Sequence, residues 1–188
     1  MEGELLMAYY DKVNTDIKLK LYVELILKNH PNFAEGTPFR EALVQKPQVF
    51  NIEHLIEDMM AINSGGQYNF IDGIHEDFDD GSECKTGTLH LNGISSAEIT
   101  NVKSQNGVLK KGAVRCVVLN PRLEKLHFVF IPKKALLDLM TTKKGTIKKS
   151  KSAWLKYTDK KDSFDRCFQK YGITEFDTFK ELAMEKNR

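Results

Sequence analysis

Asp72-Gly-Ile-His-Glu-Asp77-Phe-Asp-Asp80-Gly-Ser-Glu83-Cys-Lys85-Thr86 is the stretch at which helical periodicity gives way to strand periodicity. Upstream, Ile52, Leu55, Ile56, Met59 and Met60 form one apolar stripe behind the cap-like Asn51, and the stripe ends at Ser64-Gly65-Gly66. Downstream, Cys84 to Leu91, Ala113 to Leu119 and Leu126 to Ile131 are short runs of β-formers bounded by turn residues, as are Tyr68 and Phe70 just before the stretch. Residues two apart on a strand share a face, so Glu83 and Lys85 are expected to emerge together while Cys84 turns away. Asp80-Gly81 suits a tight hairpin turn that folds Asp77, or a residue next to it, back to face Glu83. Two carboxylates then converge beside one lysine.

Working outward, the first third reads as two helices, one carrying Leu5, Leu6, Tyr9, Tyr10 and Val13 and one carrying Leu21, Val23, Leu25 and Ile26 and closed by Pro31, with a shorter helix after Pro38. The Asn120 to Glu124 turn joins its strands antiparallel. Beyond the sheet, helices are expected at Lys133 to Met140, Ser163 to Gln169 and Thr174 to Lys186. Gly172 is placed to end the second of these, and Thr174 with Asp177 resembles a capping box opening the third. Thr141 to Ser152 lacks periodicity and reads as a mobile loop.

These elements suit one α/β (α+β) domain over residues 1–188: a helical part at 1–64, a sheet core at 67–140, and a basic loop with C-terminal helices at 141–188. No run approaches the roughly 20 apolar residues of a membrane span, so a soluble, cytoplasmic protein is expected. Cys84, Cys116 and Cys167 have no paired or metal-type spacing and read as reduced thiols.

The net charge of +2 conceals an uneven distribution. From Lys133 to Lys161 ten lysines face only Asp138 and Asp159, whereas Asp72 to Glu83 carries Asp72, Glu76, Asp77, Asp79, Asp80 and Glu83 and, apart from His75, no basic residue. An acidic cluster in a chain that also has a basic segment is the pattern expected where metal ions and phosphates meet. Carboxylates suit magnesium, which withdraws charge from a phosphodiester, and a neighbouring lysine can orient water and balance the transition-state charge.

Glu83-Cys84-Lys85, with Asp77 or Asp72 as the upstream aspartate, resembles the (D/E)xK element of the PD-(D/E)xK nuclease superfamily, which includes type II restriction endonucleases and mismatch-repair nicking enzymes. By order of elements the resemblance runs from Asn51 to Met140; residue by residue it is confined to the hairpin. It departs from the family pattern in having no proline before Asp72 or Asp77 and cysteine between the acid and the lysine. The resemblance implies a restriction-endonuclease-like fold, with a central mixed β-sheet flanked by N- and C-terminal helices. It further implies a Mg2+-dependent DNA endonuclease with Asp77, Glu83 and Lys85 as the catalytic group, Asp77 and Glu83 as metal ligands, and Asp72 as the alternate ligand. A palindromic target would call for a homodimer.

Competing readings stay open on the residues alone. The acidic stretch reads equally as a solvated turn, and Asp79 and Asp80 individually as turn residues. Glu57 is placed on the wet face of its helix and left outside the site. His75 and His90 invite a zinc reading with Cys84 but lack a close ligand pair, which leaves His75 as a substrate contact or polar surface. Lys143, Lys144, Lys148 and Lys149 are candidates for DNA-backbone contact, with Trp154 and Tyr157 interleaved in the same basic segment. The alternative functions are a non-catalytic DNA-binding or interaction protein and a structure-specific DNA repair nuclease.

Overall fold

A computed structural model describes the backbone of residues 2–71, 76–91, 94–99, 104–105, 108–109, 112–120, 125–141, 143–146, 153–158 and 168–186, and the side chains of 16–71, 76–87, 112–119, 125–141, 143–146 and 168–186. The N-terminal part is one helix, α1 (Glu2–Asn29), and not the two read from the sequence. Neither glycine nor proline interrupts residues 4–29, and the weak helix formers Asn14, Thr15 and Asp16 each cost only roughly half a kcal/mol, too little to break it. Pro31 stops it, opening a 3-10 turn (Pro31–Phe33). Then come α2 (Pro38–Gln45), a second 3-10 turn (Pro47–Val49) and α3 (Ile52–Asn63). The Asn51 side chain caps α3 by accepting the His54 N–H at 3.2 Å.

The strands are β1 (Ser82–Leu91), β2 (Ile94–Ile99), β3 (Ser104–Gln105), β4 (Val108–Leu109), β5 (Ala113–Asn120), β6 (Lys125–Pro132), β7 (Ala153–Thr158) and β8 (Thr174–Phe176). Helix α4 (Lys133–Met140) follows β6, and α5 (Phe179–Met184) follows β8. The order in the main sheet is β7-β2-β1-β5-β6-β8, and β3 pairs with β4 separately. Among the described residues only the β1–β5 pairing is parallel, so the sheet is mixed and the fold is α+β.

The expected antiparallel hairpin at Asp80-Gly81 is not present. Among the described residues just before the turn, one bridge forms, Phe70 to Phe78, and β1 takes β5 as its parallel neighbour instead. The turn itself survives, with Gly81 at φ +77°, a left-handed conformation that glycine adopts without a Cβ penalty. The β5–β6 connection is antiparallel as expected.

The C-terminal reading is also corrected. Thr174–Phe176 is strand β8, registered Phe128 to Phe176 and Phe130 to Thr174, so Thr174 does not cap a helix. The capping box lies four residues later, where Thr178 and Glu181 exchange side-chain to backbone hydrogen bonds at the start of α5. Both sites offer a threonine with an acid three residues on, and the cross-strand pairing decides between them. Segment 141–188 therefore supplies two strands, β7 and β8, besides helical residues at 168–171 and α5. Gly172 ends that helical turn at φ +65°. In the expected loop, 143–146 form a turn and 147–152 lie outside the described residues, as do 163–167 of the expected helix at Ser163 to Gln169.

Two apolar layers sandwich the sheet. Tyr22, Ile26, Ile56, Met59, Met60, Phe78, Cys84, Val117, Phe130 and Leu182 pack together on the side of α1, α2, α3 and α5. Val114, Cys116, Val118, Val129, Ile131, Leu136 and Met140 pack on the side of α4. Burial on both faces explains why β5 is apolar from Ala113 to Leu119 except at Arg115. Alternate residues on β1 follow the same division: Glu83 and Lys85 register with Val114 and Cys116, and Cys84 with Arg115. Among the described residues no helix is long and apolar enough to cross a membrane.

Candidate active site

The site forms where the turn at 78–82 delivers the chain into β1. Gly81 N–H donates to the Phe78 carbonyl at 3.1 Å, and Phe78 N–H donates to the Ser82 carbonyl at 3.3 Å. Asp80 Oδ1 accepts the Ser82 N–H at 3.0 Å and the Ser82 hydroxyl at 2.5 Å, the local side-chain to backbone bonding typical of an Asx turn. Gly112 N–H donates to the Gly81 carbonyl at 2.9 Å, tying the turn to the entry of β5.

From this turn Glu83 and Lys85 project on one face, with Lys85 Nζ 2.5 Å from Glu83 Oε1. Both side chains are largely covered, at 7% and 20% exposure, which strengthens the pair relative to one in water. Asp77 folds back so that its Oδ2 accepts the Cys84 backbone N–H at 2.7 Å. Asp77, Glu83 and Lys85 are thus brought together, though through a turn and a side-chain bond to the strand edge, with no hairpin ladder.

Helix α3, packed on the Cys84 side of β1, brings two acids near the edge of that strand: Glu57, which sequence reading left outside the site, and Glu53. Glu53 and Glu57 are four apart and share its β1-facing side; Glu53 Oε1 accepts the Thr86 hydroxyl at 3.1 Å and lies 4.0 Å from Lys18 Nζ. Glu57 is raised from 4.5 to about 7, first by its burial and then by the negative charges of Asp77 and Glu83, with Lys85 opposing. Burial alone would lower Lys85, but the hydrogen bond and charge of Glu83 and the charge of Asp77 outweigh it, and its pKa is raised. Lys85 is therefore a firm ammonium, and Glu57 titrates near neutrality. A sequence signal for Glu57 existed in its i, i+4 spacing from Glu53, but only the placement of α3 against β1 distinguishes it from surface charge.

Cys84 is buried in the helix-side layer and its thiol is pushed well up by burial, so it behaves as core. Cys116, also buried, is raised to about 12 by the same cause. Asp79 is exposed, as expected of a turn residue, and meets Asn69 Nδ2 at 3.3 Å. Lys143 and Lys144 are exposed in the turn after α4. Asp72, His75, Cys167, Lys148 and Lys149 lie outside the described residues, as do the side chains of His90, Trp154 and Tyr157.

Among the described residues, no three His, Cys, Asp or Glu side chains are arranged to share one metal ion. The donor chemistry still suits a hard cation. Asp77, Glu83 and Glu57 lie within electrostatic reach of one another, and the upward shift of Glu57 comes first from its burial and then from the charge of Asp77. No protein-family model, curated protein or solved structure matches the chain.

Proposed function

We propose that this chain is a Mg2+-dependent DNA endonuclease of restriction-endonuclease-like type, acting at the Asp77, Glu83 and Lys85 site. The observation that carries the reading is the geometry at the start of β1, where Lys85 Nζ lies 2.5 Å from Glu83 Oε1 and Asp77 is fastened to the amide between them at 2.7 Å. An acid, an apolar spacer and a lysine have thereby come together with an upstream aspartate, although a chance E-x-K triplet would have no reason to attract one.

Asp77 and Glu83 would hold the metal, with Asp72 the alternate first ligand. Bound magnesium would supply charge withdrawal from the scissile phosphate. Lys85, kept protonated by its acidic neighbours, places a positive charge where an attacking water can be oriented and where developing phosphorane charge is balanced. Lys143 and Lys144, exposed on the turn after α4, are suited to backbone phosphates. If the target is a palindrome, a homodimer is the matching assembly.

The deciding experiment incubates the purified chain with supercoiled plasmid, a four-way junction and a mismatched duplex, each with magnesium and with chelator. Magnesium-dependent cleavage that disappears in Lys85→Ala supports the proposal, and the preferred substrate separates a restriction activity from a repair activity. Binding with no cleavage of any substrate would replace it with a DNA-binding protein whose acidic turn is structural.

A further inference from the structure

Among the described residues Arg115 is the largest fully buried side chain, at 0% exposure, and the nuclease reading assigns it nothing. It stands on β5 directly across from Cys84, the residue between Glu83 and Lys85 whose amide holds Asp77. Its guanidinium is shared among three residues. One Nη donates to the Ser82 hydroxyl; the other reaches Asp80 Oδ2 at 3.2 Å and the Glu185 backbone carbonyl, just past α5, at 2.6 Å. Its carbon centre lies 4.2 Å from the centroid of the Tyr68 ring, whose hydroxyl donates to the same Glu185 carbonyl. Burying an arginine is costly unless its donors are satisfied and its charge is paired; here both Nη atoms are partnered and the charge meets Asp80, while the buried Nε has no hydrogen-bond partner among the described residues. The fork is thus spent largely on Asp80 and Ser82, in the turn that leads into Glu83.

From this arrangement we infer that Arg115 is a positioning residue, clamping Asp80 and Ser82 so that the turn has the one path that lets the Asp77 carboxylate return to the Cys84 amide. The turn from Phe78 to Ser82 is the covalent link between Asp77 and Glu83, so its path sets their separation. Its own bonds, the Asx turn of Asp80 and the glycine at 81, fix its shape but not its angle to β1. The Gly112 N–H to Gly81 carbonyl bond ties the turn to β5 at one point, and the guanidinium adds the tie that sets the angle, because its planar fork reaches Asp80 and Ser82 from a strand already in register with β1. A lysine, with one nitrogen, could not reproduce that fork.

The consequence for cleavage rests on the proposed nuclease reading; the geometric role does not. Asp80→Asn is the cleanest probe, since Oδ1 remains to accept from Ser82 while the oxygen facing Arg115 becomes an amide nitrogen. Amide hydrogen exchange is to be followed at Cys84 and, as a global reference, at Met59 and Met60 in wild type, Asp80→Asn and Arg115→Lys. The expected result is exchange at Cys84 accelerated by about tenfold or more, the scale of losing a charge-assisted hydrogen bond, with Met59 and Met60 moving much less. Arg115→Lys should fall between wild type and Asp80→Asn. Cys84 exchange that is unchanged, or that rises only in step with Met59 and Met60, overturns the clamp. Should Arg115→Lys fail to fold, Asp80→Asn and Ser82→Ala decide by the same readout. Accelerated Cys84 exchange with an inactive wild type sinks the nuclease reading alone, whereas an active wild type with unmoved Cys84 exchange sinks the clamp alone.

Discussion

The Asp77 carboxylate accepts the backbone N–H of Cys84 at 2.7 Å, on the edge of β1 that faces away from β5. Among the described residues β2 pairs with β1 only at Leu89, His90 and Leu91, so the stretch around Cys84 lies beyond that ladder. A carboxylate there satisfies a strand-edge amide that would otherwise need water or another chain. It also brings the negative charge beside the Glu83 and Lys85 pair. One bond thus closes the sheet edge and assembles the candidate site.

Tyr22 should prove the main tie between α1 and the sheet. Its buried hydroxyl donates to the Val117 carbonyl at 2.7 Å and accepts the Gly87 N–H at 3.1 Å, bridging β5 and β1. Tyr22→Phe preserves the ring and leaves both backbone groups short of a partner, so a loss of about 1–3 kcal/mol is expected in urea denaturation. A change below about 0.3 kcal/mol would mean that the bridge adds no net stability.

Glu57 should make stability fall as pH rises through the neutral range. Its pKa in the fold, about 7, lies above the ordinary 4.5, so the folded chain holds a proton that the unfolded chain has released. The stabilising contribution is complete below 4.5 and is lost as pH climbs through about 7. Glu57→Gln, permanently neutral, should therefore be more stable than wild type at pH values near 8, by a margin that shrinks toward about pH 5. Denaturation curves of both proteins across that range check this; an equal margin throughout would show that Glu57 does not titrate differently in the fold.

The sequence disclosed the elements whose signals are local and hid those set by pairing. Asn51 before an apolar stripe, and the dense β-formers of 113–119 and 126–131, specify α3, β5 and β6 without help from the rest of the chain. By contrast Ile94–Ile99 is half polar and Ala153–Thr158 lies in the lysine-rich segment, and both become strands as partners of β1 and of each other. The place of Glu83 beside Lys85 followed from strand alternation alone. The role of Asp80 did not, because its partner Arg115 is 35 positions away, and the apolar neighbours of Arg115 mark it as a strand residue without telling which acid it meets. Glu57 escaped for the same reason: helical spacing states which face it occupies, but not what that face meets.

Lys143 and Lys144, if they meet phosphates as proposed, should govern the salt dependence of DNA binding. Replacing them together with Lys148 and Lys149 by glutamine should weaken binding alike for all sequences. The slope of log K against log salt should flatten by roughly 0.9 for each phosphate that is no longer neutralised. Titrations at several salt concentrations measure this, and an unchanged slope removes these lysines from the interface.

Asp77 carries the most exposed claim, because its proposed role and its structural bond can be separated by one substitution. Asp77→Asn retains an oxygen to accept the Cys84 N–H, so the fold should persist, but it removes the charge that follows burial among the causes raising Glu57. The Glu57 pKa should accordingly move down from about 7 toward 4.5, a shift readable by NMR titration whether or not the protein cuts DNA. In cleavage assays Asp77→Asn, Glu83→Gln and Lys85→Ala should each lower the rate by roughly two or more orders of magnitude, as expected when charge stabilisation of a transition state is lost. Calcium in place of magnesium should support DNA binding with poor cleavage, given its looser geometry. Asp79→Asn should be nearly silent. A folded, fully active Lys85→Ala would end the catalytic reading, whereas an active Asp77→Asn beside an inactive Asp72→Asn would transfer the first metal-ligand role to Asp72 and leave Asp77 as the residue that fastens the edge of β1.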